Sequence, residues 1–266
     1  MGDDANKTSS MGILFLVVFI DMLGFTLVIP FLTYFIQDLA SAQGIIDIGQ
    51  RDLWVGVVIS CYSIAQFIFT PILGALSDRH GRRPILILGL ISNSIFFIVF
   101  GLSESITMAI IARFFAGAGN GNIAVARAYI GDISEPNMIS RRMGMLGAAF
   151  GLGFMIGPFI GGVLSDPAAA FGGPFDTLFW IEHPYLLPCM FSSLLSLISL
   201  TLAINRLPES LQKESRIIST GTPLTKFSEI FTNIVKVMRL PNVSTCLLYT
   251  SPSPRDSDSS RMPSSA

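Results

Sequence analysis

Apolar residues gather along the first 205 positions into six stretches: Gly12–Phe35, Trp54–Leu73, Pro84–Leu102, Ile106–Val125, Met143–Leu164 and Tyr185–Asn205. A run of about 20 apolar residues wound as a helix spans the hydrocarbon core of a bilayer. Each stretch is therefore predicted as a membrane-crossing helix, bounded by charges, Gly or Pro. The first stretch has too long an apolar run for a cleaved leader and no small-x-small exit, so it is expected to stay as an uncleaved span.

The polar segments between these stretches differ in charge by turns. Those before the first, between the second and third, between the fourth and fifth, and after the sixth hold Lys7; Arg79, Arg82 and Arg83; Arg141 and Arg142; then Arg206, Lys213, Arg216, Lys226, Lys236 and Arg239. The intervening segments hold one basic residue, Arg51, beside Asp38, Asp47, Asp52, Glu104, Asp166, Asp176 and Glu182. Twelve basic residues against one predicts, by the positive-inside bias, a cytoplasmic N-terminus and a cytoplasmic segment after the sixth span. The sequons at Asn6 and Asn242 would then face the cytoplasm, and neither is expected to carry a glycan.

Composition agrees. With 51% hydrophobic and 13% charged residues, the chain cannot coat a soluble domain of its size. Cys61, Cys189 and Cys246 stand far apart, and with only His80 and His183 they offer no metal-ligand spacing. Neither a metal, a cofactor nor a nucleic-acid partner is expected. No paired carboxylates, His/Cys set or Ser/His pair falls at one membrane depth, so enzyme chemistry is not expected.

The chain divides into an N-terminal segment 1–11, a six-helix membrane bundle 12–205, a central loop 206–242 and a tail 243–266. In the central loop, Leu224, Phe227, Ile230, Phe231, Ile234, Val235 and Met238 recur at helical spacing. They predict an amphipathic helix, lying either on the membrane surface or against the bundle's own cytoplasmic face. A seventh apolar run begins near Val243 and breaks off into Ser251-Pro252-Ser253-Pro254-Arg255-Asp256, a low-complexity sequence. That pattern is expected of a truncated or non-native end, the alternative being a genuine disordered terminus.

The most specific segment lies between the second and third spans: Gly74-Ala75-Leu76-Ser77-Asp78-Arg79-His80-Gly81-Arg82-Arg83-Pro84. Its glycines let two helix ends approach and the chain reverse. Asp78 can bond the arginines held by the turn, forming an ionic latch that a conformational change could break. This segment resembles the G-x-L-[AS]-D-R-x-G-R-[RK] signature of the major facilitator superfamily. Arg113-Phe114-Phe115-Ala116-Gly117-Ala118-Gly119 is similar to that family's R-x-x-x-G-x-G. Gly153-Phe154-Met155-Ile156-Gly157-Pro158-Phe159-Ile160-Gly161-Gly162 is similar to the G-x-x-x-G-P-x-x-G-G signature of its antiporter branches. Asp21-Met22-Leu23-Gly24-Phe25, Ala128-Tyr129-Ile130-Gly131-Asp132 and Leu207-Pro208-Glu209-Ser210 resemble the tetracycline and multidrug proton antiporters.

The resemblance, over about residues 11–210, implies an all-α membrane protein. Its six-helix bundle would be the N-terminal half of a twelve-helix fold, with a substrate cavity between two bundles. It implies a secondary transporter, a proton-coupled antiporter exporting small organic compounds or drugs, with a C-terminal half as partner. A uniporter or symporter for sugars or metabolites, and a non-transporting truncated membrane protein, are the alternatives.

Two charges fall inside spans. Asp21 lies nine residues into the first, roughly 13 Å deep at 1.5 Å per residue. A carboxyl there is stable either protonated or facing a wet cavity, and can switch between the two as protons arrive, as proton-coupled transport requires. A buried Asp bonding backbone groups beside Gly24 is the structural alternative. By resemblance, Arg113 would face the cavity, tuning the acid or holding substrate; snorkelling to the headgroups is its alternative. Asp132 would bond the loop arginine, giving an Asp78–Arg82–Asp132 cluster. Gln66, Asn120 and Asn122 are further candidates for the cavity. Gly153, Gly157, Gly161 and Gly162 are expected on nearly one helix face, admitting a close neighbour, with Pro158 permitting a bend.

Overall fold

The computed structural model describes residues 2–165, 173, 179–180 and 183–211. The central-loop helix beyond position 211 and the low-complexity tail lie outside the described residues.

The first apolar stretch folds as two helices, α1 (Gly2–Leu27) and α2 (Ile29–Ala42), which meet at Val28. Pro30 explains the joint, since it has no N–H to continue the ladder from α1 yet fits the first turn of α2. Together they give an apolar run over Met11–Ala42. Helix α3 (Ile48–His80) begins at Asp47, whose Oδ2 accepts the Gln50 N–H at 2.9 Å, and runs unbroken through Pro71. Its 33 residues reach about 50 Å, well beyond a hydrocarbon core of about 30 Å. Helices α4 (Arg82–Gly101), α7 (Ile139–Leu164) and α8 (Leu186–Arg206) cover the third, fifth and sixth stretches. These five runs are long and apolar enough to cross a membrane.

The fourth stretch departs from the single helix expected over Ile106–Val125. It is built of α5 (Ile106–Gly119) and α6 (Asn122–Ile133), with the ladder interrupted at Asn120–Gly121, and it continues past Val125 to Ile133. Gly117, Gly119, Asn120 and Gly121 put four weak helix formers within five residues. Packing uses the weakness. A β-carbon at Gly117 would stand 2.4 Å from the Tyr62 carbonyl oxygen, and one at Gly121 2.6 Å from Leu73 Cδ1.

Helix α1 packs chiefly against α7 and α8, α4 against α8 and α5, and α3 against α5 and α2. One apolar cluster surrounds Phe31, Phe35, Phe100 and Ala109, and another surrounds Leu14, Leu86, Tyr129 and Leu146. Beyond them the two ends of the bundle differ. At one end Gln37 Nε2 donates to Asp52 at 2.8 Å, and the Tyr185 hydroxyl donates to Asp38 at 2.8 Å. Arg82, Asp132 and Arg142 gather at the other, where Arg142 Nη1 donates to the Ile133 carbonyl at 2.8 Å.

Outward faces are apolar: Phe67, Met155 and Phe159 are 71%, 67% and 75% exposed. Water would not tolerate such a coat, whereas lipid or a second bundle would. The chain is a multi-pass membrane protein.

Candidate functional site

Asp21 sits on α1 at 2% exposure. Its Oδ1 accepts from Asn93 Nδ2 on α4 at 3.0 Å, and its Oδ2 from Asn122 Nδ2 on α6 at 3.2 Å. Three helices therefore meet at one carboxyl group. The break before α6 makes this possible, because Asn122 is the first residue of that helix. The positive end of the α6 dipole thus begins within side-chain reach of Asp21. Gly89, one turn before Asn93 on α4, leaves the space that Asn122 fills: a β-carbon there would lie 2.1 Å from Asn122 Oδ1. Asn122, a candidate for the cavity in sequence, is turned to Asp21 instead.

Arg113 on α5 is 4% exposed. Its guanidinium carbon lies 4.1 Å from the Phe100 ring centre and 6.0 Å from that of Tyr62. Nε and Nη2 have no hydrogen-bond partner among the described residues. The side chain stays in the bundle rather than rising to the headgroups, and it does not pair with Asp21. It forms part of the wall of an open cavity of about 320 Å³, together with Phe25, Ile29, Thr33, Tyr62 and Gln66. Gln66 also donates to the Asn120 carbonyl at 3.3 Å. Asn120 itself is 3% exposed and lies behind this wall, its amide donating to the Tyr62 hydroxyl.

At the basic end, Gly81 closes α3 with φ +108°, a conformation that side chains resist. A β-carbon there would also stand 2.3 Å from Glu209 Oε2 and would push that carboxylate aside. The turn brings Arg82 Nη1 to 2.6 Å from Asp78 Oδ1 and Arg82 Nε to 3.0 Å from Asp132 Oδ2. Nη1 also donates to Ser77 Oγ at 2.7 Å. Glu209, just after α8, accepts the first backbone N–H groups of α4 from Arg82 at 2.8 Å and Arg83 at 3.3 Å. Ser210 Oγ donates to Asp132 at 3.0 Å, and Arg83 Nη2 donates to the Ile204 carbonyl. Arg79 lies in the last turn of α3. Gly74 has open space where a side chain would begin.

Glu209 was not distinguishable as part of this cluster from sequence. Its partners on α4 are backbone groups more than a hundred residues away, and the resemblance of Leu207-Pro208-Glu209-Ser210 to the antiporters named the segment without naming what it binds.

The α7 glycines face α1. β-Carbons at Gly153, Gly157 and Gly161 would lie 2.9 Å from Met22 Cβ, 2.0 Å from Thr26 Oγ1 and 2.0 Å from the Leu27 carbonyl oxygen. Gly162 does not share this seam and meets nothing within 4 Å, since one residue further turns it about 100° around the axis. The four-glycine face expected from sequence is thus three glycines at a spacing of four. Pro158 lies within α7 without ending it. Thr26, which sequence did not single out, hydroxyl-bonds the Gly153 carbonyl on α7 at 2.8 Å and the Met22 carbonyl on its own helix at 2.9 Å.

The sequence model of the Major Facilitator Superfamily matches residues 14–251. Among curated relatives, the tetracycline resistance protein, class H, of Pasteurella multocida is 28% identical over 214 residues, covering 80% of this chain and 48% of the relative. Protein ZINC INDUCED FACILITATOR 1 of Arabidopsis thaliana is 35% identical over 184 residues, covering 68% of this chain and 37% of the relative. The chain therefore spans half or less of the length of these relatives. The crystal structure of the human organic anion transporter MFSD10 (TETRAN) shares the fold, with a TM-score of 0.68 and 24% identity over 88% of this chain and 56% of that one.

Proposed function

The chain belongs to the Major Facilitator Superfamily, and from that premise we propose that it forms one half of a proton-coupled antiporter exporting small organic compounds. The observation that carries this reading is Asp21, a buried carboxyl held between amides of two other helices. A charge within the bilayer is tolerated only when it is bonded, hydrated or neutralised. Asp21 has two donors for its ionised form, and a proton would neutralise it. Taking up that proton changes what the two amides can donate to. Protonation would therefore alter the preferred positions of α4 and α6 relative to α1, which is the link between proton and conformation that an antiporter needs.

The cavity beside Arg113 supplies one wall of a substrate site, and the second bundle would supply the other. At the basic end, Asp78, Arg82, Asp132 and Glu209 would act as a clasp that closes the cytoplasmic side in one state and parts in the other. The glycine seam would keep α1 and α7 moving as one body. Support for outward drug transport comes from the tetracycline resistance relative and from the resemblance of the α7 seam to antiporter signatures.

The test uses the full-length transporter containing this chain in sealed vesicles with a pH gradient and tetracycline as first candidate. Addition of drug should move protons across the membrane, and Asp21→Asn should abolish that movement while leaving the protein folded. Equal proton movement by the Asn variant would remove Asp21 as the carrier.

A further inference from the structure

We propose that Ser192 and Ser196 on α8 hold internal water against Asp21 and hand it the proton it takes up, so that the seam between α1, α4 and α8 is a proton route separate from the Arg113 cavity. The inference rests on the reading of Asp21 as proton carrier and adds how the proton reaches it.

The first ground is two hydroxyls with nothing to bond. Ser192 and Ser196 are fully buried, and neither Oγ has a hydrogen-bond partner among the described residues. Other hydroxyls in these helices are satisfied by their own backbone. Ser63, Thr70, Ser77 and Thr201 donate to the carbonyl three or four residues back, at 3.2, 2.6, 2.7 and 2.8 Å. Ser192 and Ser196 forgo that bond. A buried hydroxyl left unmet is costly, and internal water, which bonds about three such groups, is the usual remedy.

The second ground is place. Ser192 meets α1 at Gly24, where a β-carbon would lie 3.3 Å from the Ser192 carbonyl oxygen, and Ser199 Oγ donates to the Val17 carbonyl at 3.3 Å. The two helices therefore run antiparallel, and Ser196 falls between these contacts, level with Ile20 and Asp21. On the α4 side, Ser193 Oγ donates to the carbonyl of Ser94 at 2.8 Å, and its neighbour Asn93 bonds Asp21. Both unmet hydroxyls thus lie within one turn of the depth of Asp21. Few ionisable groups face this region. α4 and α7 carry none between their ends, α8 offers Cys189 toward the acidic end, α6 offers Arg127 and Tyr129 toward the basic end, and Tyr62 and Arg113 stand at the cavity.

The third ground is where the seam opens. Beyond Ser199 it is shut by the apolar cluster of Val17, Leu90 and Ala203. Toward the acidic end polar groups continue, with Ser193 Oγ 3.1 Å from Ser94 Oγ. About two turns further, Gly101 and Tyr185 form part of the wall of an open cavity of about 390 Å³ that also carries Asp38 and Glu104. No Lys or Arg lines that cavity among the described residues, so its field draws protons. In the final transfer a water O–H breaks as its proton joins an Asp21 oxygen. The water regains a proton from the chain behind it, so no serine is left charged.

The experiment follows the infrared band of the Asp21 carboxylic acid in the full-length transporter in nanodiscs, identified as the band that Asp21→Asn removes. After a downward pH jump, the Ser192→Ala/Ser196→Ala double variant should slow the rise of this band by roughly tenfold or more, the rate cost of losing a hydrogen bond to a charged group. Each single variant, milder to the fold, should slow it less. Ser192→Gly/Ser196→Gly leaves room for water in place of each hydroxyl and should restore most of the rate, although glycine weakens the helix. A purely structural role predicts the reverse order. Thr201→Ala, on the same helix but exposed and bonded to its own backbone, should not slow the band. A parental rate in the alanine variants, a glycine variant slower than the alanine one, or equal slowing by Thr201→Ala would overturn the route while leaving Asp21 as carrier. The absence of any band that depends on Asp21 would remove the carrier itself, and the route with it.

Discussion

Gly157 on α7 lies so close to Thr26 on α1 that a β-carbon on the glycine would stand 2.0 Å from the threonine hydroxyl oxygen. That hydroxyl is fixed by the Gly153 carbonyl at 2.8 Å, so it cannot simply rotate away. Gly157→Val should therefore force the two helices apart and destabilise the bundle by about 1–3 kcal/mol or more, the usual cost of overpacking. Gly162→Ala is the matched control. It points into open space and should be neutral, or stabilising by up to about 1 kcal/mol through helix propensity. Thermal unfolding of the purified variants in one detergent checks both. A Gly157→Val variant as stable as its parent would show that the seam is not tightly packed.

The carboxyl of Asp21 and the amide of Asn122 should be energetically coupled. Asn122→Ala strips one donor from a buried carboxylate, and an unmet buried group of this kind costs about 1–3 kcal/mol. In an Asp21→Ala background the same substitution removes a donor that no longer has its acceptor, and its cost should shrink. Asn93→Ala should behave alike. The double-mutant cycle, measured by denaturant or thermal unfolding, should give a coupling of at least about 0.5 kcal/mol, as expected for residues in contact. Additive costs would mean that the two side chains do not share a bond.

The sequence made the frame of this site legible and left its wiring hidden. Apolar run length located the spans, because the bilayer imposes that length on any helix that crosses it. Depth marked Asp21 and Arg113, since charges are rare where they are expensive, and the motifs that carry the family resemblance marked them again. The break at Asn120–Gly121 was harder to read. Gly117 and Gly119 look the same whether they serve close packing inside a continuous helix or end one, and only the approach of Tyr62 and Leu73 decides between the two. Without the break, Asn122 could not be recognised as the start of a helix aimed at Asp21. Periodicity assigned Gly162 to the seam because it adjoins Gly161, yet a single residue step is enough to turn it away. Partners such as Glu209 and the first turn of α4 are joined by folding across most of the chain, and no local pattern carries that information.

The clasp around Arg82 offers the sharpest separation of stability from conformational control. Arg82 reaches Asp78 at 2.6 Å and Asp132 at 3.0 Å, but the two acids differ in kind. Asp78 sits at the end of α3 and Arg82 at the start of α4, joined through the turn at Gly81, so this pair is tethered by the chain itself. Asp132 belongs to α6, fifty residues away, and in the proposed clasp its bond parts as that end opens. Both carboxylates are partly exposed, at 33% and 22% of the side chain, so solvent screens each pair and either loss should cost no more than about 1 kcal/mol of stability. On the proposed clasp, in which this contact parts as that end opens, Asp132→Asn should nonetheless shift the balance between closed and open forms. In the full-length transporter, a cysteine placed at Gly74, where there is open space, should be labelled faster by a water-soluble maleimide in Asp132→Asn than in the parent. Asp78→Asn should change labelling less, and transport by Asp132→Asn should slow. Identical labelling and identical transport in Asp132→Asn and parent would reduce the Arg82–Asp132 pair to a static surface contact.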